Sequence, residues 1–286
     1  MRIQFLIIGI GLVFGLFACT TVKVAVPQQF SSQATAMKVK GLQGMMINQK
    51  ISFGEYASSN VKRGWDFSSS MQASRISFRW QDQLVKIFNI QTDNKTLNES
   101  NKFQFTLGDG KQETAVFAME KFNEKQLVYK SGLPVIGDVA QTKNYQYSFS
   151  AAIMLLSGQV REPWQLVLVN RYDAKADTAK GLFDRPYVEE HGYASNGDVT
   201  FTIHPLRISS YENPKGKDVK VLGGPMFTGY ELKVDNGVVA VVDIIGEQVW
   251  LLNDMDPTYR IVAASVASAL MLKRKQDINS LNEQRD

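Results

Sequence analysis

The sequence predicts a mainly β fold, an antiparallel barrel or sandwich with a buried hydrophobic C-terminal helix, and three observations lead there. Apolar and polar residues alternate in short runs separated by turn dipeptides from Ala36 to Leu252, the period-two pattern of half-buried strands. The pattern stops at Asp256-Pro257, and from Ile261 to Leu272 no residue is charged, the composition of a helix buried on every side. The chain holds a single cysteine, so no internal disulfide is possible and the core must hold the fold together.

The first element is a leader. Arg2 precedes an apolar run from Phe5 to Phe17 broken only by glycines, the layout of a secretory signal. The run is too short for a membrane span, which needs about 20 apolar residues. It ends in Leu16-Phe17-Ala18-Cys19, which resembles the lipobox of bacterial lipoproteins. That resemblance implies that residues 1–18 are removed, that the Cys19 thiol carries a diacylglycerol, and that the new amino terminus is acylated, for example with palmitate. Read without it, the run is an ordinary signal peptide and Cys19 a free thiol prone to stray disulfides. The lipid would make the membrane a partner and place the protein in the bacterial cell envelope. Thr20 follows in place of the aspartate that retains enterobacterial lipoproteins at the inner membrane, so the same resemblance implies the outer membrane.

Residues 19–36, rich in Thr, Ser, Gln and Ala with one proline at Pro27, read as a flexible tether. Residues 37–275 read as one β-rich domain. Its composition, 44% hydrophobic and 21% charged over the whole chain, is that of a globular protein. A net charge of +4 is too small a surplus to argue for nucleic acid, whose binding domains cluster basic residues.

Within that domain the hairpins come in order. Phe103, Phe105 and Leu107 alternate with polar residues, Asp109-Gly110 marks a turn, and Ala115, Phe117 and Met119 resume the alternation. Asn196-Gly197 precedes Val199, Phe201 and Ile203 on one face, and Asn236-Gly237 lies between two runs rich in valine, both strong hairpin signals. Further strands are expected in MKVK, ISFGEY, GWDFS, RISFRW, LVKIFNI, YQYSFSAAIMLL and WQLVLV. Asp256 caps the final helix and Pro257 suits its first position, which predicts a helix over 257–275. Lys273, Arg274 and Lys275 complement the negative end of its dipole, and residues 276–286 form a polar tail. About 18 Å of apolar rod cannot cross a hydrocarbon core of about 30 Å, so the helix belongs inside protein. The stretch GYELKVDNGVVAVVDIIGEQVWLL and the helix after it resemble the end of the tubby C-terminal and phospholipid scramblase type of barrel. The resemblance implies a closed barrel threaded by its last helix. No phosphoinositide-binding lysines or arginines of that family can be matched here.

Chemistry is sparse. The only histidines are His191, in PYVEEHGY, and His204, in FTIHPL. Glu189 and His191 would share a strand face, and Glu190 would take the other, but two ligands fall short of the three of a catalytic zinc site. No G-x-S-x-G, H-E-x-x-H or P-loop is present. Asp173, Asp177 and Asp184 are available for a carboxylate pair of the kind that hydrolyses glycosides. Lys62, Arg63 and Trp65 combine charge with a flat apolar ring, a combination suited to an anionic headgroup or a glycan. The bland reading makes Trp65 core and the cations its solvated flank. Asn94-Lys95-Thr96 and Asn98-Glu99-Ser100 match glycosylation sequons and mark a polar loop. The expected function is therefore a lipid-anchored envelope lipoprotein with a non-catalytic binding or structural domain, without cofactor or metal, whose partner is an envelope protein or ligand. The alternatives are an anchored hydrolase and a lipid-handling barrel.

Overall fold

The computed structural model describes residues 26–42, 48–64, 102–122, 145–156, 162–172, 188–212 and 217–273. The chain enters through a helical turn, α1 (Gln28–Ser31), and then β1 (Ala34–Lys38), β2 (Ser52–Phe53), β3 (Tyr56–Ser58) and β4 (Lys62–Arg63). Long antiparallel strands follow: β5 (Lys102–Gly108), β6 (Glu113–Phe122), β7 (Tyr145–Leu155), β8 (Trp164–Tyr172), β9 (Val188–Ser195) and β10 (Thr200–Ile208). A side ribbon of β11 (Ser210–Glu212) and β12 (Asp218–Lys220) precedes β13 (Met226–Val234), β14 (Gly237–Asp243), β15 (Gln248–Leu252) and the helix α2 (Pro257–Leu272).

Twelve strands pair in the order β1-β15-β14-β13-β10-β9-β8-β7-β6-β5-β3-β2. Lys40, just past β1, exchanges backbone hydrogen bonds of 2.9 and 3.1 Å with Ser52 of β2. That bridge joins the two ends of the order, so the sheet is a nearly closed antiparallel barrel. Near-closure leaves few unpaired strand edges.

The helix runs through the ring. It packs against β14 and β15 on one wall and against β5, β6 and β7 on the other. Every residue from Ile261 to Ala269 has 0% exposure. Alanines on all sides let twelve strands close around it, and the two serines satisfy their hydroxyls locally. Ser265 Oγ donates to Ile261 O and Ser268 Oγ to Ala264 O, each at 2.8 Å, the usual answer for a hydroxyl inside a helix. Ser265 also lies 2.7 Å from Thr114 Oγ1 of β6. The Asp256 cap forms as expected, accepting from Thr258 N at 2.8 Å, with Pro257 at the first position. The helix stops at Leu272, short of residue 275; Lys273 follows in extended backbone with φ −54° and ψ 130°. Arg274 and Lys275 lie outside the described residues.

Some boundaries and faces differ from the sequence reading. The reading of residues 19–36 as tether fails for its last part. Phe30 of α1 is buried with Val241 on the outer wall, and β1 already begins at Ala34, paired with Leu252 of β15. One aromatic side chain in a polar stretch, together with the strand that the ring needs for closure, draws this segment into the fold. In the β5–β6 hairpin, Phe105 pairs with Val116 and Phe103 with Ala118. That register turns Val116 and Ala118 inward, so Ala115, Phe117 and Met119 face outward, although they too are buried. The β13–β14 turn rests on Asp235 (φ 47°) and Asn236 (φ 67°), with Gly237 already paired to Val234. Two consecutive positive φ values make a two-residue turn of the kind that matches strand twist. The β9–β10 turn agrees with expectation: Gly197 has φ 97°, and Asn196 Oδ1 accepts from Val199 N at 2.9 Å.

Candidate functional site

Among the described residues, polar side chains come together at both ends of α2 and on the outer wall. At the far end of the helix, Lys273 Nζ reaches Glu190 Oε1 of β9 at 2.9 Å and the Tyr230 hydroxyl of β13 at 2.6 Å, and that hydroxyl donates to Glu190 Oε1 at 2.9 Å. The ammonium also lies over the Tyr230 ring, 5.2 Å from its centroid. At the near end, Arg260 Nε donates to the Tyr56 hydroxyl at 3.2 Å, and Nη1 donates to the carbonyls of Leu252 and Asn253 at 3.3 and 3.1 Å. Burial pushes the Tyr56 phenol up to about 12, against the lowering pull of Arg260. Each end of the helix is thus tied to the wall by a cation and a tyrosine. These groups are spent on one another, and their work is structural.

The outer-wall site is different. Lys62 pairs with Gln104, Gln104 with Phe117, and Thr106 with Ala115. All five side chains fall on the face opposite the barrel core. Together with Lys50 and Asn60 they line a cleft of about 470 Å³, within the span of about 300–1,000 Å³ usual for ligand pockets. The rim is fastened by the backbone. Ser59 N donates to Thr106 O at 2.9 Å, Thr106 N to Ser59 Oγ at 2.9 Å, and Val61 N to Gln49 O at 2.7 Å. Asn60 Nδ2 donates to Asn48 Oδ1 at 3.4 Å.

Two features distinguish this cleft. Lys50 and Lys62 make no ion pair among the described residues, and no carboxylate is among the described lining. Two amide oxygens in its wall, moreover, are closed to solvent and lack donors. Gln104 is 6% exposed, and its Oε1, like Asn60 Oδ1, is buried with no hydrogen-bond partner. Buried carbonyl oxygens are nearly always satisfied, because leaving one unmade costs about 1–3 kcal/mol.

Of the residues singled out from sequence, Lys62 lies in the cleft. Arg63, its neighbour on β4, points to the other side of the sheet. Its guanidinium sits 5.4 Å from the Phe103 ring centroid and donates through Nη2 to Gln49 Oε1 at 3.3 Å. Strand alternation therefore separates the two cations. Trp65, Cys19, Asp173, Asp177, Asp184 and both sequons lie outside the described residues. His191 is exposed on β9, and His204 on β10 pairs with Glu231. Burial, then Lys233, hold His204 below its ordinary pKa of 6.5, with Glu231 pulling the other way. Among the described residues no three His, Cys, Asp or Glu side chains are grouped to hold a metal ion, and no helix is long and apolar enough to cross a membrane.

Glu190 and Gln104 were missed. Glu190 sits between the two residues weighed as ligands, and only its parity on the strand, placing it inward, signals its role. Gln104 lies between Phe103 and Phe105 and reads as solvent-facing; nothing in its neighbours signals burial. No protein-family model, curated protein or solved structure matches this chain.

Proposed function

We propose that the protein is a lipoprotein of the bacterial cell envelope, anchored through lipid on Cys19 at the outer membrane, whose barrel is a non-catalytic binding domain. The binding reading is carried by one observation: a cleft of about 470 Å³ lined by Lys50 and Lys62 opens on the outer wall. A lipid-handling barrel would need an apolar cavity along α2. Zero exposure from Ile261 to Ala269 leaves no room against it even for water. The anchor reading is supported by Leu16-Phe17-Ala18-Cys19 and by the short distance from Cys19 to the fold. Seven residues take the chain from Cys19 to Val26, a reach of at most about 25 Å. That is close enough to keep the barrel beside the bilayer.

Metabolic labelling with a fatty-acid analogue tests the anchor. The parent should carry label and sediment with membranes; Cys19→Ser should lose the label and remain unprocessed. Label retained on Cys19→Ser would overturn the assignment.

A further inference from the structure

The structure assigns a site apart from the cleft and the anchor: His191 and His204, on neighbouring strands of the outer wall, together hold a divalent transition metal, Cu2+ before others, with water completing the coordination. The chain has only two histidines in 286 residues, and the fold brings them together. Gly192 of β9 pairs with Ile203 of β10. Ile203 is turned to the core, so the adjoining residue on each strand, His191 and His204, lies on the outer face. The same antiparallel register, carried one residue further, sets the two side by side. Side chains opposite one another on neighbouring strands have Cβ atoms about 4.5–5.5 Å apart. From that spacing two imidazoles can reach one ion at the usual nitrogen–metal distance of about 2 Å.

The surroundings fit a metal. His191 is exposed and His204 only part-buried, so an ion enters from solvent. Burial, then Lys233, hold His204 below its ordinary pKa of 6.5, and the charge of His191 adds to the lowering. The two rings are therefore within electrostatic reach, and at neutral pH His204 is in the uncharged form that ligates a metal. On its other side His204 pairs with Glu231 of β13, which brings a carboxylate near the ion. Lys233, whose charge opposes a cation there, is itself paired with Glu231. No group of three His, Cys, Asp or Glu side chains forms among the described residues, so this is not the three-ligand site of a zinc enzyme. Two imidazoles and water suit the tetragonal coordination of Cu2+, which also heads the affinity order of divalent metals for such donors.

Calorimetric titration of the full, untagged mature protein in detergent with Cu2+ at neutral pH tests this. One equivalent should bind, and the electron paramagnetic resonance spectrum of the bound copper should show two imidazole nitrogens. Binding should also raise the melting temperature, since the ion ties β9 to β10 in the folded chain alone. His191→Gln and His204→Gln should each weaken binding at least about tenfold, because the second imidazole acts as an intramolecular ligand. Each should also abolish the rise in melting temperature with copper. Both side chains face outward, so both variants should fold, which melting without metal at neutral pH checks. Excess Mg2+, which prefers oxygen ligands, should not compete. The assignment is overturned if one-to-one binding is not seen, if either variant holds Cu2+ as tightly as the parent, if fewer than two imidazole nitrogens appear in the spectrum, or if Mg2+ displaces the copper.

Discussion

Lys273 Nζ lies 2.9 Å from Glu190 Oε1, so the residue that ends the central helix is paired with a carboxylate on the inward face of β9. Both side chains are largely removed from water, at 12% and 8% exposure. In that setting the pair is worth less than the penalty for breaking it. Lys273→Met should therefore cost about 3–5 kcal/mol, because it strands a buried carboxylate with only the Tyr230 hydroxyl for company. Adding Glu190→Gln to Lys273→Met should restore most of that loss. Urea melting across the four-member cycle measures the coupling. Additive effects would show that the clamp does not hold the helix end.

The N-terminal arm gives a second expectation. Phe30 is 5% exposed on the outer wall, and the arm is fixed further by Asn253 N donating to Gln33 O at 2.9 Å. Backbone between Gln28 and Lys38 should resist limited proteolysis as well as the hairpins do. Phe30→Ala, which empties an aromatic site, should destabilise by about 3 kcal/mol and open that segment to cleavage. Rapid cutting there in the parent would mean that α1 does not dock.

How much of this was legible from sequence depended on whether local residues decide the feature. The Asp256-Pro257 start, the charge-free helix and the Gly110 and Gly197 turns are local, and each stands where the pattern put it. Whether the sheet closes is decided by Lys40 meeting Ser52 and by β1 meeting β15, contacts between distant parts of the chain that no window of alternation contains. The face of a strand is likewise set by its partners. Once Phe105 pairs with Val116, parity puts Ala118 at the core and turns Phe117 to the outer wall. The cleft was half legible for that reason. Lys62 stood out by charge, but its separation from Arg63 and its alignment with Gln104 follow from the β4–β5 register.

His204 makes stability depend on pH in a predictable direction. Burial first, then Lys233, lower its pKa from 6.5 in the folded chain, with His191 adding to the lowering. Between the lowered value and 6.5 the unfolded chain binds more protons than the folded one, so stability rises with pH through that window and levels off above it. Acidification below about 6.5 should thus lower the melting temperature, and His204→Gln should flatten the curve there. His191→Gln should shift the window slightly upward, since it removes one of the lowering influences. A slope unchanged in His204→Gln would assign it to other groups.

The helix itself provides the most severe test of the architecture. Ala267 and Ala264 both have 0% exposure, inside a ring whose opposite walls both touch α2. A carboxylate at Ala267 would meet no cation and no water, and a charge left unpaired in a core costs several kcal/mol out of a total stability of about 5–15. Ala267→Asp should therefore prevent folding or accumulation. Ala264→Leu adds volume where strands approach the helix backbone, and should cost about 1–3 kcal/mol without abolishing the fold. Lys220→Asp, on the exposed side ribbon, should melt within about 0.5 kcal/mol of the parent and serves as the control. Denaturant melting of the full mature chain ranks the three. A graded loss in the order Lys220→Asp, Ala264→Leu, Ala267→Asp is what an enclosed helix requires. If Ala267→Asp melts with the parent, the helix lies outside the ring and the ring must be filled by something else.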